Sequence, residues 1–231
     1  MRRPLLFIAG FALLFTTAAN ADVDKVYHPY VEQDTYELES RLISLLDREL
    51  AASFSVYRFG FGKDISEDLF VELYLIGAKE SDQKIELEAY EVEALYQLTE
   101  QGEYWLDAAL LVEVERETDS ENWEGNFALI LEKEFGRWSA ALNIHNQNQI
   151  GNDQKRDWQR SQAFQMRYRY SSQIEPGFEI YSDQNNFFVG PVILGQVNLD
   201  SSKLNWEVGI VKEFNHSGTD NVLRALLEYE F

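Results

Sequence analysis

The sequence of 231 residues contains no cysteine, so no disulfide framework stabilises its fold. Basic residues are also scarce, because 20 Lys and Arg stand against 40 Asp and Glu, a formal net charge of −20 at pH 7. Binding to the phosphates of nucleic acid requires a basic surface. We therefore exclude nucleic acid as a partner.

Long apolar runs are missing after residue 21, and the mean hydropathy is −0.35. A membrane-spanning helix needs about 20 consecutive apolar residues, so a helical membrane protein is excluded. Strongly acidic chains are often disordered, but such chains contain few aromatic residues. Here aromatic residues make up 14% of the sequence, which indicates a folded chain.

The first 21 residues have the pattern of a secretory signal peptide. Arg2 and Arg3 precede an apolar run over residues 5–15, and Ala19-Asn20-Ala21 forms a small-residue cleavage site. The apolar run is too short to span a membrane. The remaining residues of a twin-arginine motif are missing, which favours export of the unfolded chain. No cysteine follows the cleavage site, so a lipoprotein is excluded.

Most of the remaining chain alternates apolar and polar side chains with a period of two, which predicts β-strands. The pattern is clearest near the C-terminus, where one parity holds Leu223, Ala225, Leu227, Tyr229 and Phe231. The other parity holds Arg224, Glu228 and Glu230. We predict about twelve strands, within a range of ten to fourteen. An even number returns both ends of the sheet to the same side.

Several segments interrupt this pattern. Gly62-Lys63-Asp64 and Glu100-Gln101-Gly102 are predicted turns, and Pro176-Gly177 marks a break. Residues 187–196 lack clean alternation and contain Pro191, so they predict a strand only weakly. Residues 41–52 are interpreted as a strand followed by a loop rather than as a helix, because they lack an N-cap.

Alternation alone fits either a soluble barrel with its apolar face inward or a membrane barrel with its apolar face outward. Aromatic residues near the ends of the apolar faces favour the membrane barrel, because aromatic side chains gather at membrane interfaces. They include Tyr36, Tyr57, Tyr104, Trp138, Tyr168, Trp206 and Phe231.

The signal peptide, the alternation and the C-terminal strand together resemble those of small Gram-negative outer-membrane β-barrel proteins. The resemblance implies an all-β, transmembrane, antiparallel up-and-down barrel in the outer membrane, in contact with lipid and lipopolysaccharide. It also implies insertion by the barrel assembly machinery, with Leu223, Ala225, Leu227, Tyr229 and Phe231 as the assembly signal. We divide the chain into a signal peptide over residues 1–21, a periplasmic lead-in over residues 22–35 and a barrel over residues 36–231.

In such a barrel the polar parity faces the lumen. The predicted acidic lumen residues are Glu37, Glu39, Glu72, Glu91, Glu93, Asp107, Glu113, Glu115, Glu179, Glu207 and Glu228. The predicted basic ones are Arg41, Arg58, Arg167, Arg169 and Arg224. Five arginines cannot pair with all of these acids, which favours a narrow, porin-like channel for small solutes or cations. The alternative is a structural barrel closed by arginine–carboxylate pairs.

Catalytic and metal motifs are weak. His28, His145 and His216 are far apart and none accompanies a serine nucleophile motif. We predict no catalytic residue, no metal and no cofactor. An outer-membrane enzyme acting on lipids and a soluble periplasmic β-barrel ligand binder remain the alternatives.

The longest predicted loop covers residues 147–161 and carries Lys155, Arg156 and Arg160 near Trp158. These basic residues could bind lipopolysaccharide phosphates, or the segment could be a polar loop tip.

Overall fold

The segments with alternating side chains form twelve β-strands in the computed structural model. The structure describes residues 23–46, 51–81, 83–150, 158–214 and 221–231. The strands are β1 (Tyr36–Leu46), β2 (Ala52–Ser66), β3 (Leu69–Glu80), β4 (Glu86–Gln97), β5 (Asp107–Glu117), β6 (Trp123–Phe135), β7 (Trp138–Ile150), β8 (Gln159–Tyr168), β9 (Glu175–Ser182), β10 (Phe187–Leu199), β11 (Ser202–Glu213) and β12 (Asn221–Glu230).

Each strand pairs antiparallel with its sequence neighbours, and β1 pairs with β12 to close the barrel. Leu38 lies opposite Tyr229 and Arg41 opposite Leu226 in this closing pair. Because all strands are paired, the sheet has no free edge. The predicted all-β, up-and-down barrel of about twelve strands is confirmed. Among the described residues, no helix has the length and apolar character needed to cross a membrane.

Both ends of the sheet lie at one rim of the barrel, which we call the terminal end. The backbone N–H of Tyr36 donates to the carbonyl of Phe231 at 3.0 Å, and the N–H of Phe231 donates back at 2.9 Å. The opposite rim, which carries the connections after the odd-numbered strands, is called the far end. Odd-numbered strands therefore run from the terminal end to the far end, and even-numbered strands run back.

The outer surface of the barrel is apolar. Leu73 on β3, Val92 on β4 and Leu227 on β12 each expose about half of their surface. Aromatic rings gather on this surface at the terminal end, where Tyr36 stacks with Phe61 and with Phe231. In a soluble protein of this size an apolar surface would favour aggregation, whereas it matches a bilayer.

Some local predictions were wrong. Gly62 does not begin a turn, because β2 continues to Ser66. Its missing side chain makes room for the Phe70 ring of β3, which lies 2.6 Å or less from where a Cβ would stand. Pro176 and Gly177 lie within β9 rather than at a break. By contrast, three predictions are confirmed: the strand after residue 41, the turn at Gly102, where φ is +74°, and the strand over residues 187–196, which belong to β10.

Residues 23–35, here named the luminal segment, run inside the barrel. Val26 and Tyr27 are buried against side chains of the barrel wall, whereas Glu32, Gln33 and Asp34 are exposed at the terminal end. The sequence predicted a lead-in outside the barrel for these residues. Their burial reflects partners on distant strands, which period-two analysis does not detect.

Candidate functional site

The strand register turns the predicted lumen residues inward. Ten of them are at most 8% exposed: Glu39, Glu72, Glu91, Glu93, Asp107, Glu179, Glu207, Arg41, Arg58 and Arg224. The inward parity also holds the partly buried residues Glu37, Glu113, Glu115, Glu228 and Arg167. Arg169 differs, because it lies in the turn after β8 and pairs with Glu134 at the rim. The C-terminal residues Leu227, Tyr229 and Phe231 face outward, as the alternation predicted.

Two arginines on β1 and β2 hold the luminal segment through Asp24. The Arg41 guanidinium lies 2.5 Å from Asp24 and 2.7 Å from Glu39, and its side chain is fully buried. Arg58 lies 3.4 Å from Asp24 and also pairs with Glu91. These arginines are therefore covered by the segment and do not border an open path.

A second ionic group starts on β12, the strand that pairs with β1, and extends to β11 and β9. Arg224 of β12 donates its Nε–H to Glu179 at 2.6 Å and pairs with Glu207 at 2.5 Å. Glu179 also accepts hydrogen bonds from Gln165 and Tyr181, at 2.8 and 3.1 Å. This group lies within the wall and needs no residue of the luminal segment to neutralise Glu179.

The luminal segment supplies partners for Glu39, which also binds Arg41, and for three carboxylates to which no described wall arginine is bonded. Lys25 places its ammonium 2.8 Å from Glu39 and 2.6 Å from Glu228. The Tyr27 hydroxyl lies 2.7 Å from Glu93 and 3.2 Å from Glu113. Glu228, Glu93 and Glu113 thus have partners in the segment, although Asp24 of the segment adds an acid to the same lumen.

Polar side chains of the wall also bind the backbone of the segment. Asn143 of β7 accepts the N–H of Tyr27 at 2.7 Å and donates to its carbonyl at 2.9 Å. Gln97 accepts the N–H of Val31 at 2.7 Å. Asp64 accepts the N–H groups of Asp34 and Thr35 at 2.9 and 3.0 Å.

Closer to the terminal end, the segment contacts acids on β5 and β6. His28 Nδ1 lies 2.7 Å from Glu132, a fully buried carboxylate that also lies 3.6 Å from Arg167. The Tyr30 hydroxyl donates to Asp107 at 2.9 Å. The segment is therefore bound along its length rather than at one point.

Two cavities meet at Lys25 and Tyr27, which line both of them. The terminal cavity, about 410 Å³ in volume, opens towards the terminal end and has Glu37, Glu72 and Glu228 in its lining. The other cavity has a volume of about 40 Å³ and is lined by Glu113, Glu124 and His145 among others. Lys25 and Tyr27 thus lie where the lumen is closed.

Towards the far end, the interior becomes apolar on one side. Val23 and Val26 pack with Tyr181, Phe188, Val211 and Val222. The other side stays polar, because Asn126 lies 2.9 Å from His145 and Gln149 donates to Glu124 at 3.1 Å. Any aqueous path past the segment would follow this polar side.

The described histidines do not form a catalytic group. His145 faces inward and its nearest polar partner is the Asn126 amide, as expected for a polar lumen residue. His28 binds Glu132, and His216 lies outside the described residues. Neither described histidine has a hydrogen bond to a serine.

Carboxylates lie close enough together to share a cation in three groups of the described residues. One group joins Glu37, Glu39 and Glu72, and another joins Glu91, Glu93 and Glu113. In both groups a residue is already bonded, since Glu39 contacts Lys25 and Glu93 contacts Tyr27. Some of these carboxylates are therefore engaged by the segment while it lies in the lumen.

Glu32 marks the exit of the segment at the terminal end. It pairs with Lys203, which also lies 2.7 Å from Glu230. Burial would raise the pKa of Glu32, but hydrogen bonds from Glu230 and Lys203 lower it below the ordinary value of 4.5. The ionised form of Glu32 is therefore favoured while the segment is in place.

Sequence reasoning missed the residues of the luminal segment and several of their partners. Asn143, Gln97 and Glu132 occupy the inward parity of their strands, so strand alternation could have identified them as lumen residues. No period-two signal marks Asp24, Lys25 or Tyr27. Their density of charged and hydroxyl groups was the single available hint.

The barrel is similar in fold to solved porins. A structure described as the KdgM porin in complex with disordered oligogalacturonate has a TM-score of 0.57 at 11% identity, over 84% of this chain and 99% of that chain. The KdgM porin alone gives 0.54 at 11% identity over the same shares, and the NanC porin gives 0.54 at 10% identity over 82% and 98%. No protein-family model and no curated protein matches the sequence. The chain therefore has a porin-like β-barrel fold.

Proposed function

We propose that the protein is an outer-membrane barrel that forms a narrow, cation-favouring channel, and that the luminal segment closes this channel. The observation that carries the proposal is the position of Lys25 and Tyr27 between the two cavities, bound to carboxylates of the wall. These contacts are non-covalent, and opening of the channel requires that the segment leave the lumen. Its departure would join the two cavities.

An outer-membrane location is supported by the apolar outer surface and the aromatic rings at the terminal end. The predicted signal peptide lies outside the described residues but agrees with export. In the proposed orientation the terminal end of the barrel faces the periplasm. The barrel assembly machinery would recognise the C-terminal strand and insert the chain. Lipid and lipopolysaccharide are then its surroundings.

Cation preference follows from the charge of the wall. Removing the segment takes Lys25 away from Glu39 and Glu228, and the Tyr27 hydroxyl away from Glu93 and Glu113. It also takes Asp24 away from Arg41 and Arg58, which keep Glu39 and Glu91 as partners within the wall. Uncompensated carboxylates in a narrow lumen attract cations and repel anions. The KdgM complex contains oligogalacturonate, a polyanion. The acidic lumen of this chain disfavours such a solute.

A structural barrel without transport is the second candidate. The fully buried pairs of Arg224 with Glu179 and Glu207 favour it, because they lie within the barrel wall and need no residue of the segment. An enzyme is not proposed, since the residues that the structure describes present no catalytic arrangement for hydrolysis.

Two measurements test the channel. Heat-modifiable migration of the folded protein on detergent gels is expected for a membrane barrel, and its absence would contradict the fold in a membrane. In planar bilayers the full chain is expected to be mostly closed. A Lys25→Ala, Tyr27→Ala double variant is expected to open more often, with a reversal potential that indicates cations. A folded but silent double variant would favour the structural barrel.

A further inference from the structure

We propose that the lumen is a binding site for extended peptides that carry a basic side chain two residues before an aromatic one. This inference rests on the proposed function, because it names the solute class of the same lumen. In the closed barrel the luminal segment occupies the site, with Lys25 and Tyr27 as its two recognised side chains.

The first support is that the wall binds the backbone of the segment. The paired hydrogen bonds between Asn143 and both backbone groups of Tyr27 resemble the pairing of one strand residue with another. Gln97 binds the backbone again at Val31. Contacts of this kind are independent of side-chain identity, so they suit any extended peptide.

The second support is a pair of side-chain positions with defined chemistry. One accepts an ammonium between Glu39 and Glu228, at 2.8 and 2.6 Å. The other accepts a phenol between Glu93 and Glu113, next to Asn143. The ammonium also lies 5.3 Å from the Tyr27 ring, a cation–π distance. Together these positions specify a basic residue followed, two places later, by tyrosine.

The third support is that the segment can be exchanged. It lies inside the closed sheet and none of its residues belongs to a strand. Its link to β1 passes through Glu32, Gln33 and Asp34, which are exposed at the terminal end. A cut in this link would leave the twelve strands paired around the barrel, and it would turn the segment into a separate, bound peptide.

The experiment therefore inserts a protease site between Gln33 and Asp34 of the full chain, which is folded before it is cut. The cut barrel is incubated in detergent with a fluorescent peptide of residues 23–31, and incorporation is measured by anisotropy. Unlabelled competitor peptides then compare binding. The Lys25→Arg competitor is expected to bind like the parent. The Lys25→Glu competitor is expected to bind about 30-fold more weakly or worse, because loss of a buried charge partner at an interface has effects of this size.

A competitor that keeps only Lys25 and Tyr27, with alanine or serine at the other positions, tests the solute class. Binding within about tenfold of the parent supports the proposal. A tenfold difference in affinity corresponds to about 1.4 kcal/mol. Failure of this peptide to bind overturns it, as does equal binding of the Lys25→Glu peptide. If the inserted site prevents folding, the site is moved between Glu32 and Gln33, which are also exposed, and absence of peptide binding to that folded and cut barrel likewise overturns the proposal.

Conductance of the same cut barrel separates this inference from the proposed channel. A cation-selective current that no peptide blocks would retain the channel and overturn the peptide site. Peptide binding without any current would support the site and contradict the channel.

Discussion

At the scale of single residues, buried charges decide the stability of the interior. Arg224 is fully buried and neutralises Glu179 and Glu207. Replacing it with Met of similar volume leaves two buried carboxylates without their cation. We expect Arg224→Met to lower the free energy of unfolding by about 3–5 kcal/mol, the usual cost of breaking a buried ion pair. Urea unfolding in lipid vesicles measures it.

The matched control is Arg169→Met, because Arg169 pairs with Glu134 at the rim, where a third of its side chain is exposed. Such a pair contributes up to about 1 kcal/mol. Equal losses in the two variants would show that burial does not set the strength of these pairs.

Gly60 is a second residue whose role follows from close packing. A Cβ at this position would collide with the Glu72 carboxylate and come within 2.6 Å of the Tyr74 ring. We expect Gly60→Ala to destabilise the barrel by about 1–3 kcal/mol, as overpacked sites do. Gly125→Ala is the control, because nothing lies within 4 Å of its added Cβ. The same urea titrations compare the two, and a neutral Gly60→Ala would contradict the packing argument.

At the scale of elements, the strands were predictable and the luminal segment was not. Alternation is local, so Leu223, Ala225 and Leu227 reveal their face without knowledge of the neighbouring strand. The inward direction of Glu72 and Arg224 followed from the same rule. The position of Tyr27 depends on Asn143, which lies on a distant strand. A sequence without a repeating period gives no basis for choosing such a partner.

The wrong turn at Gly62 has a related cause. Glycine and a following charged residue commonly mark turns. Here the glycine serves the packing of Phe70 across two strands, a requirement that appears only when the strands are paired. Local rules therefore identified strands well and glycine function poorly.

The exit of the luminal segment should respond to pH through Glu32. The pKa of Glu32 is lowered while the segment is bound. Glu32 therefore stabilises the bound state at pH values above its ordinary pKa of 4.5. This stabilisation is lost as the pH falls through the lowered pKa, because protonation removes the pairing with Lys203. We therefore expect channel opening to increase as the pH falls below about 4.5. Single-channel recording across this range measures it.

Glu32→Gln is the control for this pH effect. It should open more often at neutral pH and show a smaller change on acidification, since the titrating group is absent. Other carboxylates titrate in both proteins, so the difference between the two curves isolates Glu32. Identical curves would exclude a role for Glu32.

At the scale of the whole molecule, excess negative charge and a closed apolar barrel act together. The outer surface requires lipid, while the interior collects carboxylates on several strands around one axis. Lys25 offsets part of this charge only while the segment is bound. The proposed opening would therefore change the charge of the lumen, and we expect ion selectivity to belong to the open state.

The terminal cavity should set this selectivity through Glu37 and Glu228. In the background of the Lys25→Ala, Tyr27→Ala variant, we expect Glu37→Gln with Glu228→Gln to shift the reversal potential in a salt gradient towards zero. Selectivity should also weaken at high salt, because the screening length falls from about 10 Å at 0.1 M to about 3 Å at 1 M. Glu103→Gln, at an exposed position in the turn between β4 and β5, is the control and should leave the potential unchanged. Unchanged selectivity after loss of both cavity carboxylates would place the charge that selects ions elsewhere in the lumen.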